Sequence, residues 1–258
     1  MAKFKHHNNN NTQPKKSSAL YLYGRHPVVA AINNPKRQIN AILVTAENAD
    51  EVKKLCISTN RNTGLVKVVE RKEIDKILPQ DAVHQGMIAQ VKELECYDIT
   101  DICNMSENKE KCFVLILDQV TDPQNIGAII RSCVAFDALA LIIQDKNSPA
   151  ESGAMAKASA GMIEHLPIAR VTNLSRAIEE LKKCGFWTVG MDGYATDNID
   201  KINKNGKTAI IMGSEGKGMR RLIEESCDIT VRLPISEKVE SLNVATAAAI
   251  TLYEMNKS

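Results

Sequence analysis

Hydrophobic and polar positions along the chain follow two successive α/β patterns. In the first, apolar runs at 39–46, 64–70 and 86–94 predict strands, and amphipathic segments at 47–59 and 71–78 predict helices between them. These elements predict a small α/β domain over residues 19–96.

The second pattern begins with CFVLILDQV (112–120), a near-continuous apolar run of the kind that is buried on both faces of a parallel sheet. Further strands are predicted at 139–145, 185–191, 208–213 and 228–234, and helices at about 127–138, 150–161, 173–184, 217–227 and 243–256. This alternation predicts a parallel α/β domain over 112–258. Ligands of such sheets bind beyond the carboxyl ends of strands, which directs attention to the loops after 120, 212 and 233. The intervening residues 97–111 are polar and irregular towards their end, and we interpret them as a linker.

Composition narrows the class of protein. The 258 residues are 44% hydrophobic and 25% charged, and no apolar run is long enough to predict a membrane span. The first 18 residues, MAKFKHHNNNNTQPKKSS, lack the apolar stretch of a signal peptide, so we expect a cytoplasmic protein. The seven cysteines form no CxxC pair, which predicts reduced thiols rather than disulfides or a zinc site.

Net charge is only +2, so any electrostatic attraction to nucleic acid must be local. The basic, Asn-rich arm at 1–18 is predicted to be disordered. It is either a solvated tail or a basic tether that touches RNA phosphates.

The sequence IIMGSEGKGM (210–219) looks at first like a phosphate loop. A Walker A loop requires Lys and Ser/Thr where this chain has Met219 and Arg220, and the third glycine of a dinucleotide loop would be Arg221. Two readings remain: a tight connection between strand and helix, or a loop whose backbone approaches another ligand.

Two other loops carry candidate polar chemistry. DQVTDPQNIGAIIRS (118–132) contains Asn125 and Arg131 around a helix that Pro123 can initiate, and LPISEKVESLNVATAAAI (233–250) places Ser241 and Asn243 before a small-residue helix. Taken singly, the Asn and Ser residues could be helix caps and Arg131 a surface ion-pair partner.

In this order and spacing, the three loops resemble the signature motifs of the SpoU (TrmH-type) RNA ribose 2′-O-methyltransferases of the SPOUT class. The segments YGRHPVVAAI (23–32) and VHQGMIA (83–89) resemble the L30e-like RNA-binding domain found in the branch that methylates a guanosine of large-subunit rRNA. The chain departs from the family pattern at Glu237, where many relatives have glycine, and at Ala245-Thr246, where Ser-Val is common.

The resemblance implies a parallel sheet with a C-terminal trefoil knot, a homodimer, and S-adenosylmethionine held largely by main-chain groups at Gly213, Gly218, Leu233 and Leu242. It implies no metal. The implied reaction is in-line methyl transfer to a ribose 2′-oxygen of rRNA.

The catalytic residues implied by the resemblance are Asn125, Arg131, Glu215, Ser241 and Asn243. A guanidinium is always protonated near neutral pH, so we expect Arg131 to hold a phosphate and stabilise the developing alkoxide rather than act as a base. Asn125 and Asn243 would orient Arg131 and the ribose, Ser241 would add a polar contact, and Glu215 would pair with Arg131 or a backbone amide.

For RNA binding we expect phosphate contacts from Arg25, Lys36 and Arg37, although exposed basic residues are often merely solvated. His26 and His84 could contact RNA or make structural hydrogen bonds. The alternatives are a tRNA ribose methyltransferase, a non-catalytic rRNA-binding assembly factor and, disfavoured by Met219 and Arg220, a P-loop protein.

Overall fold

A computed structural model describes residues 19–146 and 148–257, and the predicted disordered arm at 1–18 lies outside them. Among the described residues, no helix is long and apolar enough to cross a membrane.

Residues 19–96 contribute a four-stranded sheet with strand order β1-β4-β2-β3. Its strands are β1 (Leu20–Tyr23), β2 (Ile39–Val44), β3 (Val66–Val68) and β4 (Met87–Val91), and its helices are α1 (Arg25–Asn33), α2 (Ala46–Ser58) and α3 (Arg71–Asp75). The three strands and two helices predicted here are confirmed, with shorter ends. Strand β1 was not predicted, and it pairs antiparallel with β4.

The segment 97–111, interpreted as a linker, contains a helix in its first part and is irregular only towards its end. Helix α4 (Ile99–Ser106) begins at a capping box, in which Asp98 and Asp101 each accept a hydrogen bond from the other's backbone N–H. Ile99 and Ile102 of α4 are buried. The helix therefore belongs to the packed structure.

One pair of cysteines departs from the prediction of reduced thiols. Cys103 of α4 and Cys184 form a disulfide with a Cα–Cα distance of 5.9 Å. Cys184 is the C-cap of helix α7 (Leu174–Lys183), so the bond joins two helices that are far apart in the chain.

The second sheet has seven strands in the order β7-β6-β5-β10-β8-β11-β9, and every pairing is parallel. Its strands are β5 (Cys112–Leu117), β6 (Ala140–Gln144), β7 (Ile168–Val171), β8 (Trp187–Met191), β9 (Asp197–Asn198), β10 (Lys207–Met212) and β11 (Ile229–Arg232). The five strands predicted here are confirmed, as is the α/β class with a large parallel sheet. Strands β7 and β9 were missed because both are short, β7 is only partly buried and β9 is exposed.

Helices cover both faces of this sheet. Besides α4 and α7, they are α5 (Pro123–Ala135), α6 (Gly153–Ala158), α8 (Arg221–Glu224) and α9 (Val244–Asn256). Helices α6 and α8 are shorter than predicted. Leu115 and Leu117 of β5 join the apolar cluster formed with α5, α6 and α9, whereas Val114 and Ile116 join the cluster formed with α4, α7 and α8. This alternation follows from the two-residue repeat of a strand.

The two sheets are joined by a tightly packed interface, which we call the seam. Residues of the four-stranded unit and of the α5–α6 face form one continuous apolar cluster. A Cβ on Gly153 of α6 would meet the Tyr21 carbonyl oxygen at 2.4 Å and the Tyr23 ring at 2.5 Å, so glycine is required for this approach.

Candidate active site

Polar side chains from three loops meet at the carboxyl edge of the large sheet. The Asn243 amide nitrogen, Nδ2, donates to Asn125 Oδ1 at 3.1 Å and to Glu215 Oε2 at 3.3 Å. We call these three residues the polar cluster. An open cavity of about 570 Å³ adjoins it, lined by Asn125, Asn243, Thr246, Ala249, Ala128 and Ala158. The structure thus brings together one predicted residue from each of the three motifs.

The helix-cap alternatives are decided residue by residue. Asp122 is the N-cap of α5 and accepts from Gln124 N–H, with Pro123 in the first turn as predicted, so Asn125 is not the cap. Asn243 is the N-cap of α9, and its Oδ1 accepts from the N–H groups of Ala245 and Thr246. It therefore caps the helix while its Nδ2 serves the polar cluster.

The Gly-rich loop after β10 is a compact hairpin. Ser214 and Gly218 exchange two backbone hydrogen bonds, of 3.1 and 2.9 Å, and Gly216 and Gly218 have φ values of +80° and +66°. A Cβ on Gly213 would lie 2.0 Å from the Gly218 carbonyl carbon. The conformation of the hairpin thus requires glycine at these positions. Glu215 lies in the turn of this hairpin.

An ion pair that the sequence analysis missed fixes this hairpin to the first loop. Asp118, directly after β5, is fully buried, and its carboxylate accepts from the Arg220 backbone N–H at 2.8 Å and from Arg220 Nε at 2.9 Å. The sequence could have indicated this contact, because Asp118 directly follows an apolar strand and a buried carboxylate requires a partner.

The loop after β11 leaves most of its main chain free. Between residues 234 and 242, the only backbone-to-backbone hydrogen bond within the described structure runs from Val239 N–H to the Ser236 carbonyl. Leu233 and Leu242, at the two ends of this stretch, are partly buried. Free N–H and C=O groups beside a glycine hairpin suit a ligand that is held by main-chain contacts.

Arg131 and Ser241 are exposed, and among the described residues neither side chain is hydrogen-bonded to the polar cluster. Arg131 follows Asn125 by six positions in α5. It therefore points about 120° away from Asn125 around the helix axis and lies about 9 Å further along it. Among the described residues, the Arg131 side chain makes no hydrogen bond or ion pair, and the side-chain bond of Glu215 comes from Asn243. The expected Glu215–Arg131 contact is therefore not formed within this chain, nor is Glu215 bound to a backbone amide.

Two predicted RNA contacts are corrected by burial. Arg37 is 1% exposed, and its guanidinium donates to Glu164, to Glu151 and to the Lys92 carbonyl oxygen. The contacts with Glu151 and Glu164 cross the seam, so Arg37 joins the two units and is not free to bind a phosphate.

His84 is 2% exposed. Its Nδ1 accepts from Gly86 N–H at 3.0 Å, so its Nε2 carries the proton and donates to Asp75 at 2.9 Å. Of the two readings for His84, the structural one holds.

The remaining basic candidates are on the surface. Arg25 and His26 begin α1, and Arg25 pairs with Glu51. Lys36 is exposed, with its Nζ 3.3 Å from the Tyr97 hydroxyl. In the described part of the chain, no group of three His, Cys, Asp or Glu side chains is arranged to hold a metal ion.

Comparisons with known proteins identify relatives over nearly the whole chain. The family model described as "SpoU rRNA Methylase family" matches residues 112–253, and "RNA 2'-O ribose methyltransferase substrate binding" matches residues 21–97. A 23S rRNA (guanosine-2'-O-)-methyltransferase, RlmB, of Pseudomonas syringae pv. tomato is 38% identical over 90% of this chain and 93% of its own. The putative TrmH family tRNA/rRNA methyltransferase YacO of Bacillus subtilis is 35% identical over 91% of this chain and 94% of its own.

Solved structures share the fold. The AdoMet-bound rRNA methyltransferase of Sinorhizobium meliloti superimposes with a TM-score of 0.77 at 22% identity, covering 92% of this chain and 87% of that chain. The TrmH/SpoU tRNA modifying enzyme of A. aeolicus reaches a TM-score of 0.52 at 25% identity, covering 61% of this chain and 80% of its own.

Proposed function

Because this chain belongs to the SpoU rRNA methylase family, we propose that it transfers a methyl group from S-adenosylmethionine to a ribose 2′-oxygen of RNA. The acceptor is a guanosine in large-subunit rRNA. The structural observation that supports this is the polar cluster, in which Asn125, Glu215 and Asn243 join three motif loops beside an open cavity. We infer that it acts in the cytoplasm, as expected from the sequence.

The choice of rRNA rests on the four-stranded unit. Relatives named as 23S rRNA guanosine methyltransferases cover about nine-tenths of this chain, and the substrate-binding family model matches residues 21–97. The A. aeolicus tRNA enzyme covers only 61% of it. We assign residues 19–96 to an L30e-like RNA-binding domain, 97–111 to the connection and 112–258 to the methyltransferase domain. Arg25, His26 and Lys36 supply the surface contacts to RNA.

The loops after β10 and β11 fit the cofactor. When bound, S-adenosylmethionine supplies an electrophilic methyl group. Gly213, Gly218, Leu233 and Leu242 border the free main chain that would hold its adenosine and methionine portions. The strand order β5-β10-β8-β11 supports a trefoil knot, since β10 enters between β5 and the earlier strand β8, β11 follows on the far side of β8, and the chain then returns to α5 through α9.

The polar cluster positions the acceptor ribose. The Asn243 amide nitrogen is held by Asn125 and Glu215, and the capping bonds hold its amide oxygen, so both ends of the side chain are fixed before RNA arrives. Arg131 supplies the positive charge that holds the neighbouring phosphate and stabilises the alkoxide as the 2′-hydroxyl loses its proton. Ser241 adds a hydroxyl at the end of the same loop.

Arg131 meets this cluster across a homodimer. Within one chain Arg131 is exposed and does not contact Glu215, so a single protomer lacks the charge where the ribose would sit. Helix α9, which packs on α5, exposes 43% of Ile250 and 52% of Tyr253. This apolar surface suits a second copy of the chain, whose Arg131 would complete the site.

The experiment incubates purified protein with S-adenosylmethionine labelled in the methyl group and either undermodified large-subunit rRNA or tRNA. Arg131→Ala is the control. Label on a ribose 2′-oxygen of rRNA, absent with Arg131→Ala, is the expected result. Label on tRNA alone would overturn the rRNA assignment, and label on neither RNA would favour the assembly factor.

A further inference from the structure

One lysine at the seam is held without an acidic partner. Lys157, the fifth residue of α6, is partly buried, and its Nζ lies 3.1 Å from Gln85 Oε1 across the seam. Within the described structure it makes no ion pair. Partial burial also lowers the pKa of Lys157, since desolvation disfavours the charged form. Its ammonium group has three donors, and one neutral amide oxygen leaves capacity for an anion.

The four-stranded unit leaves space for this side chain. Gly24 has φ +88°, and a Cβ there would lie 2.5 Å from Lys157 Nζ and 3.2 Å from Gln85 Oε1. Gln85 Oε1 also accepts from the backbone N–H of Arg25 at 3.1 Å. Lys157 is therefore seated beside the start of α1, where Arg25 and His26 are exposed.

The next residue of α6 reaches the candidate active site. Ala158 lines the cavity that Asn125 and Asn243 also line. A Cβ on Gly127 would meet the Met155 carbonyl oxygen at 2.5 Å and Ala158 Cβ at 2.6 Å, so α5 and α6 are packed as closely as their backbones allow. The ammonium group of Lys157 thus lies beside the exposed start of α1, and the residue that follows Lys157 lines the cavity next to the polar cluster.

We propose that Lys157 binds a backbone phosphate of the substrate RNA where the strand crosses the seam from the four-stranded unit to the polar cluster. This inference rests on the proposed function. A lysine ammonium is a compact charge that suits a phosphate and reads no base, so Lys157 contributes affinity and register but no sequence preference. The bond to Gln85 keeps the ammonium at the seam until RNA arrives.

The competing role is a tether, in which the Lys157–Gln85 bond only holds the two units together. Two substitutions separate these roles. Lys157→Met removes the charge and keeps most of the side-chain volume, whereas Gln85→Met removes the tether and keeps the charge. Lys157→Gln is a second uncharged variant if Lys157→Met does not fold.

Lys183→Met is the matched control for charge. Lys183 is exposed at the end of α7, whose core contacts lie on the opposite face of the large sheet from α6. It changes net charge by the same amount, far from the seam.

The experiment measures the Kd of each full-length variant for undermodified large-subunit rRNA over a series of salt concentrations. For Lys157→Met we expect binding weaker by about 10-fold at low salt, and a salt slope smaller by about 0.7 to 0.9, the value for one lost phosphate contact. Lys157→Arg, Gln85→Met and Lys183→Met should keep the wild-type slope. Affinity for S-adenosylmethionine should stay within about twofold in all of them, because none touches the loops after β10 and β11.

Two outcomes would overturn the proposal. One is a Lys157→Met slope equal to that of Lys183→Met. The other is equal weakening by Gln85→Met and Lys157→Met, which would make the pair a tether. Failure of the wild-type protein to methylate any RNA would instead overturn the proposed function, and a Lys157-dependent salt slope would survive that result.

Discussion

Asn243 uses the two ends of one amide for two purposes. Its oxygen caps α9 at Ala245 and Thr246, and its nitrogen joins Asn125 to Glu215. A sequence can suggest a cap or a site residue at such a position, but the two readings are not exclusive. Asn243 both caps α9 and joins the polar cluster, because the helix begins where the three motif loops meet.

Asn243→Asp should separate the two purposes. Aspartate caps helices as well as asparagine does, so the free energy of unfolding should change by less than about 0.5 kcal/mol. Methyl transfer should fall by at least about 100-fold, because the donor is lost and a second carboxylate faces Glu215. Thermal unfolding and turnover on rRNA measure the two effects.

Asn243→Ala is the comparison, because it should lose activity and also about 1 kcal/mol of stability through the missing cap. If Asn243→Asp turned over rRNA at the wild-type rate, the amide nitrogen would have no role in the reaction.

Arg131→Lys tests whether charge alone is sufficient. Lysine keeps the positive charge but lacks the planar fork that binds a phosphate oxygen pair, so we expect turnover to fall by at least about 10-fold. The exposed position predicts unchanged stability. Single-turnover kinetics with rRNA provide the measurement. Arg176→Lys is the control, because Arg176 lies in an exposed ion pair with Glu180. Near-wild-type turnover of Arg131→Lys would reject the proposed role.

At the scale of elements, the first and second motif loops are fixed by one ion pair. Asp118 has no exposed side-chain surface, whereas 41% of the Arg220 side chain is exposed. The sequence predicted both loops but not this contact, because residues 118 and 220 are distant in the chain and adjoin only when β10 pairs with β5.

Arg220→Ala should destabilise both loops by leaving the Asp118 carboxylate buried without a counter-charge. We expect the free energy of unfolding to fall by about 1–3 kcal/mol and affinity for S-adenosylmethionine to weaken. Chemical denaturation and calorimetry measure these quantities.

The matched control is Arg221→Ala. Arg221 pairs with Glu225 on the surface, where 88% and 54% of the side chains are exposed, and such pairs contribute less than about 1 kcal/mol. Equal effects of the two substitutions would show that the buried ion pair does not stabilise the loops.

For the molecule as a whole, the seam defines how the two units are related. The linker interpretation left their orientation open. The structure encloses Arg37 between Glu151 and Glu164, and Asn34 adds a bond to Glu164, so the units are closely joined. Burial converts an expected RNA contact into a structural one, since a fully desolvated guanidinium requires carboxylate partners.

The proposed homodimer is tested by Ile250→Glu. A carboxylate on the exposed apolar face of α9 would have to be buried in the dimer, so Ile250→Glu should produce a monomer. This monomer should methylate no rRNA, whether or not its affinity for S-adenosylmethionine is changed. Light scattering with size-exclusion chromatography, together with the methylation assay, reports both results.

Ile57→Glu is the control for surface charge, because Ile57 on α2 is 68% exposed and belongs to the other unit. It should leave mass and activity unchanged. An active, strictly monomeric Ile250→Glu protein would contradict the shared active site.

The sequence by itself determined the strand–helix alternation, the α/β class and the family, because apolar periodicity and motif spacing are local properties of the chain. It also named the residues of the polar cluster.

Only the tertiary structure decided which of the named residues meet. Asn125, Glu215 and Asn243 converge because parallel strands bring distant loops to one edge. Arg37 and His84 are removed from the RNA surface because burial depends on packing with residues far along the chain. The proposed role of Lys157 also depends on the tertiary structure, because Gly24 and Gln85 surround its ammonium group and no local sequence pattern connects them to it.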